Sequence, residues 1–302
     1  MISPVDFVGD LLNPDLAFLP RALLMAVLCS VVCGVVGTHV VLRGMAFIGD
    51  AVAHAVFPGL AVAFVLQGSL VLGGAVAGIA TALLVALFAQ NRRLREDSVI
   101  GVFFVAAFAL GIVIISTAPG YAGSLQDFLF GSIVGIPDEN VTIAVVVGLV
   151  LMTVLFAFHK ELVAVSLDRE SARALGLPVT RLDLLLYVVV AAAIVISVQT
   201  IGNVLVLALL VTPAAAARLL TDRLGPMMLL GPVIGGGSAL VGLYLSWSLD
   251  LPVGGTIVLV ATAVFLLAWL FAPRHGVVTR AAVRRADTSK RPPVRGRVPS
   301  GL

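Results

Sequence analysis

Charge is scarce in this chain. Asp, Glu, Lys and Arg make up only 12% of its 302 residues, against about a quarter in soluble domains. Hydrophobic residues make up 60%, with a mean hydropathy of +1.15, which excludes an ordinary soluble globule. Lysine is confined to Lys160 and Lys290, and no Gly-rich loop ends in Gly-Lys-Ser/Thr, so no cradle for nucleotide phosphates is recognisable. Neither a His-Glu-x-x-His pair nor a Gly-x-Ser-x-Gly elbow occurs, which removes two common hydrolase signatures. The chain is not expected to be an enzyme. Cys29 and Cys33 are the only cysteines, too few for a disulfide framework. They read as small core residues, with a thiolate pair at helical spacing as the alternative. Asp6, Asp10 and Asp15 precede the first basic residue, Arg21. That order is the reverse of a signal peptide, so no cleavable targeting segment is expected.

What the chain has instead is long apolar runs. A spanning helix needs about 20 mainly apolar residues, and such stretches lie near 18–42, 45–66, 69–90, 99–117, 141–158, 183–202, 204–220, 226–247 and 252–272. The fold class expected is all-α: a polytopic membrane protein of eight or nine spans, with the membrane-spanning body over 18–273 and a separate N-terminal segment over 1–17. Merging 183–220 into one kinked span, or adding a re-entrant segment at 120–136, changes the count by one. Arg92, Arg93 and Arg95 anchor the cytoplasmic side by the positive-inside rule. Alternation then places Arg43, Lys160, Arg169, Arg173, Arg181, Arg218 and Arg223 inside and the N-terminus outside, with Arg21 the one misplaced cation. The outer loops keep Asp127, Asp138, Glu139 and Asp250. They read either as an acid-lined mouth that concentrates cations or as the ordinary exclusion of basic residues from translocated loops. From Arg274 onward eight basic residues face one acid, which leaves the preceding part at a net charge of −4. Residues 274–302 read as a basic, disordered cytoplasmic tail near anionic lipid. No aromatic interleaving accompanies its charges, so nucleic acid is not an expected partner.

Inside the second apolar run, Asp50 and His54 stand four residues apart. Helical spacing puts them on one face a turn apart, and both are good ligands for a first-row divalent cation. Ionisable groups in a membrane span are functional suspects by default. The plainer reading is that they satisfy only each other. His39, at the inner end of the first span, reads as an interfacial histidine whose hydrogen bonds are satisfied, not as a ligand. Residues 199–213 bring Gln199, Thr200, Asn203 and Thr212 into an apolar run, and 117–140 is rich in Gly and Pro; both segments can border a path. Small-residue pairs at Gly74/Gly78, Gly131/Gly135 and Gly231/Gly235 mark close helix packing.

Between the fifth and sixth spans, 159–182 is polar. Asp168 is placed to cap a short helix carrying Glu170 in its first turn and Arg173 late in it, with Gly176 and then Pro178 to stop it. Such a helix can transmit force from a soluble partner, or be a plain connector.

Taken together, these stretches resemble the permease subunit of the zinc and manganese type of ATP-binding-cassette importer. The likeness runs through Arg21 to Phe64, with Val40-Val41-Leu42-Arg43, Gly49-Asp50-Ala51, His54-Ala55-Val56 and Pro58-Gly59; through Glu96 to Ser116 with Ile100-Gly101; and through Asp127 to Gly135. It continues over Leu167 to Leu224, with Ala174-Leu175-Gly176-Leu177 and Leu210-Val211-Thr212-Pro213-Ala214-Ala215, and over Ser246 to Phe271. The resemblance implies a multi-pass homodimer in a prokaryotic cytoplasmic membrane that moves zinc or manganese as cargo and holds no permanent cofactor. It implies separate ATPase subunits, which supply the energy, and an extracytoplasmic metal-binding protein. It also implies a metal path at Asp50 and His54, and an ATPase-coupling segment carrying Asp168, Glu170, Arg173 and Gly176. Zinc and manganese are not separated by one imidazole and one carboxylate. A permease for a bulky chelate, cobalamin or a siderophore, is the alternative.

Overall fold

The computed structural model describes residues 3–90, 94, 96–116, 138–273 and 276. Arg92, Arg93, Arg95, the 120–136 segment, Gly131/Gly135 and nearly all of the basic tail lie outside the described residues. Within them the chain is helical throughout, as lipid demands: a spanning segment must satisfy its own backbone hydrogen bonds. The order is α1 (Pro4–Leu12), a 3-10 turn (Pro14–Leu16), α2 (Phe18–Leu42), α3 (Ile48–Val65), α4 (Leu70–Phe88), α5 (Glu96–Ser116) and α6 (Asp138–Ala157). It continues with α7 (His159–Leu167), α8 (Arg169–Ala174), α9 (Val179–Ile201), α10 (Asn203–Leu220), α11 (Leu224–Leu249) and α12 (Val253–Phe271). Nine helices among the described residues are long and apolar enough to cross a membrane, matching the nine runs. The kinked-span alternative for 183–220 resolves into two helices, because Gly202 adopts φ +82° between α9 and α10, a conformation that a side chain would strain.

Burial sorts the spans into a core and a rind. In α2 and α3, 72% and 67% of the spanning window is buried, against 17% in α5. α2 packs against α9, α10 and α11, α3 against α4 and α5, and α12 closes on α10 and α11. Where the core helices cross, small residues let backbones touch. A Cβ at Gly59 would meet the Gly73 carbonyl oxygen at 2.1 Å, and one at Gly73 would meet the Gly59 oxygen at 2.4 Å, so neither position has room for a side chain. Gly231 lies against Gly34, Gly235 against Ser30 and Gly78 against Val195. Cys29 and Cys33 are buried and unbridged, with sulfurs 3.6 and 3.7 Å from the hydroxyls of Thr200 and Ser197 on α9; they act as core residues between α2 and α9.

Before the first span, Ser3 and Asp6 form a capping box and Pro4 opens α1. Phe7 is buried against Leu19 and Leu243, its ring 5.4 Å edge-on from Tyr244, and the indole N–H of Trp247 donates to Asp10 at 2.8 Å. Val5, Val8 and Leu12 face outward, the habit of a helix lying in the membrane interface. The N-terminal segment thus rests on the α11 end.

Candidate functional site

α3 does not start at the level where α2 ends. Positions 37 and 49 both press on Leu210 of α10, so α3 begins beside Gly37, five residues or about 7.5 Å inside the end of α2. Asp50 and His54 follow at once and therefore lie well within the apolar depth. His54 Nδ1 is 3.0 Å from the Asp50 carbonyl oxygen and 3.3 Å from its carboxylate Oδ1. Both neighbours are acceptors, so Nδ1 carries the proton and donates, while Nε2 keeps its lone pair. The carboxylate thereby orients the imidazole, an arrangement typical of metal-binding histidines.

Neighbouring residues of α3 (Ala51, Val52, Ala53, Ala55, Val56) are buried, but the Asp50 and His54 side chains are 40% and 22% exposed. The pair therefore opens on an outer flank of the chain. Phe104 and Phe108 of α5 wall it, with ring centroids 5.1 and 5.6 Å from the imidazole. Among the described residues no group of three His, Cys, Asp or Glu converges. Asp50 and His54 could supply two ligands to a cation, whose remaining shell would have to come from water or a second chain.

The short helix at 168–176 forms as its residues dictate. The Asp168 carboxylate accepts from the amides of Glu170 (2.9 Å) and Ser171 (3.3 Å), and from the Ser171 hydroxyl. That hydroxyl and those amides hold the Asp168 carboxyl below its ordinary range. Gly176 takes φ +80°, a turn suited to glycine, and its amide and that of Leu177 close on Arg173 and Ala172 carbonyls. Ala172 is buried; Glu170 and Arg173 are exposed, and Leu167 and Leu175 stand 83% and 78% exposed at either end. Beside α8 lies a cleft of 380 Å³ edged by Arg43, Glu96, Ser166 and Glu170.

Sequence reasoning missed the joint behind this helix. Asp183, 2% exposed in α9, accepts from Arg43 Nη1 at 2.6 Å and from Arg169 Nη2, and Arg43 Nε donates to Ser166 Oγ at 2.9 Å. One carboxylate so ties the end of α2, α7, α8 and α9. Close by, the Tyr187 hydroxyl donates to Glu96. The available signal was Asp183 itself, a lone acid within an apolar run. His39 also departs from expectation. It is fully buried, and among the described residues neither ring nitrogen has a hydrogen-bond partner. The reason is that α7 folds back against α2 and covers what the run of residues presents as an interface.

The chain is similar to known permeases over most of its length. It is 40% identical over 264 residues to the manganese transport system membrane protein MntC of Halalkalibacterium halodurans, covering 87% of this chain and 90% of that one. To the chelated iron transport system membrane protein YfeC of Yersinia pestis it is 38% identical, covering 92% and 94%. Among solved structures, PsaBC from Streptococcus pneumoniae in complex with Fab superposes with a TM-score of 0.81 at 32% identity, over 94% of this chain and 100% of that one. An inward-facing metal-chelate type ABC transporter matches at TM-score 0.66 and 18% identity, a likeness of fold alone. Residues 15–272 match the model of the ABC 3 transport family, and with its nine apolar helices the chain belongs to that family as a multi-pass permease of a prokaryotic plasma membrane.

Proposed function

We propose that this permease imports a divalent transition-metal ion, manganese foremost, and that Asp50 and His54 hold the ion in passage. The observation that carries the reading is the Asp50-oriented imidazole, which leaves Nε2 free on a flank walled by aromatic rings. A mixed oxygen and nitrogen ligand pair completed by water suits manganese and also accepts zinc or iron. The names of the similar proteins, manganese for MntC and chelated iron for YfeC, favour the same class. Two protein ligands per chain bind weakly enough to let an ion leave, as a conduction site requires.

The outward opening of the pair supports a homodimer in which two such flanks face each other. The capped helix at 168–174, with its bare leucines and adjoining cleft, suits an ATPase subunit docking on the cytoplasmic side, with Asp168, Glu170, Arg173 and Gly176 shaping the contact. An extracytoplasmic binding protein delivers the ion. The test is uptake of radioactive manganese by the reconstituted assembly. Asp50→Ala and His54→Ala should each lower uptake at least about tenfold while ATPase association persists. Undiminished uptake in both variants removes the site.

A further inference from the structure

A pair of imidazoles lies apart from the Asp50 and His54 pair, on α2 and α7. His39 sits in the last turn of α2 and His159 opens α7, with ring centroids 6.1 Å apart and planes at 78°. His39 is fully buried with both nitrogens unpartnered, and the buried Nδ1 of His159 is unpartnered too, among the described residues. A neutral imidazole always presents one donor and one acceptor, and leaving such groups buried and bare is costly. Two bare imidazoles side by side are therefore poor core residues and good ligands.

Metal–nitrogen bonds of about 2.0–2.1 Å set the centroids of two imidazoles on one ion about 5–6.5 Å apart, which brackets the observed spacing. Rotation about χ2, soft in histidine, turns the nitrogen edges toward one point. Arg43, one turn beyond His39, is neutralised by Asp183.

We propose that His39 and His159 form an inner-face site for an imidazole-preferring divalent cation of the zinc or cobalt class, which pins the start of the coupling segment to α2. Its ligand chemistry differs from that of the transport pair. Nitrogen donors favour zinc and cobalt over manganese, so the site reads a different cytosolic metal from the proposed cargo. An ion there fixes α7 against α2 and restrains the helix that follows.

The test uses the full-length chain purified with its ATPase partner, carrying Asp50→Ala and His54→Ala so that the transport pair is silent. Titration with Co²⁺ should give a visible ligand-field band saturating at one ion per chain. Zinc should displace that ion and equimolar manganese should not. His159→Ala, at a partly exposed helix start, and His39→Gln should each weaken the binding at least about tenfold without altering elution from a sizing column. If His39→Gln fails to fold, His159→Ala decides alone. Absence of the band in the silenced background, a band unchanged by either substitution, or equal competition by manganese overturns the proposal. Because Asp50 and His54 are already removed, none of these outcomes depends on the transport reading.

Discussion

In the proposed transport site the protonation of His54 matters most directly, because its Nε2 must be unprotonated to ligate. Metal uptake should fall on acidification and recover on adding more metal, the signature of competition between proton and ion. A pH-independent apparent affinity speaks against imidazole ligation. Asp50→Asn keeps an acceptor for Nδ1 but removes the charge, so it should impair uptake less than Asp50→Ala. At Asp183 the expectation is structural. Asp183→Asn strands the buried guanidinium of Arg43 and should cost about 3 kcal/mol, read as a lower thermal transition of the purified permease. Asp50 and His54 were legible in the sequence because their partnership is local, four residues on one helix. Asp183 was not, because its partners lie 140 and 14 residues away and only the packed helices bring them together. The bare nitrogens of His39 escaped for the same reason.

Among the elements, α3 is held most narrowly. Its contact with α4 is backbone on backbone at Gly59 and Gly73, and Gly59→Leu should cost about 2 kcal/mol or more by overpacking, measured as accelerated thermal inactivation in detergent. Gly101, whose Cβ would meet nothing within 4 Å, should accept alanine and serves as the control. The short α8 depends on its cap. Asp168→Ala should speed hydrogen exchange at the amides of Glu170 and Ser171, while exchange in α9 stays slow. Because its carboxyl is held below the ordinary range, ionised Asp168 contributes fully at neutral pH, and that contribution disappears only as acid takes the pH down through the depressed value. Added protection on acidification contradicts the cap. The spans themselves were readable to within a few residues from apolar length, since lipid imposes one answer on a long apolar run. α1 was not assigned to the body, because nine amphipathic residues say nothing of the Tyr244 and Trp247 surface they rest on.

For the whole molecule, the proposed site on an outward flank suits a pairing of two copies. The purified permease should contain two chains of 31.2 kDa by native mass measurement; a stable single copy that still transports contradicts the paired flank. The joint at Asp183 unites the chain ends of four helices on one side, the side the positive-inside rule assigns to the cytoplasm. Its two cations are unequal: the Arg43 side chain is 9% exposed and that of Arg169 46%. Water can receive Arg169 at little loss, whereas Arg43 has nowhere to go. The joint is thus one-sided: loss of Arg169 leaves the Asp183 carboxylate neutralised by Arg43, whereas loss of Arg43 leaves it only the half-exposed Arg169.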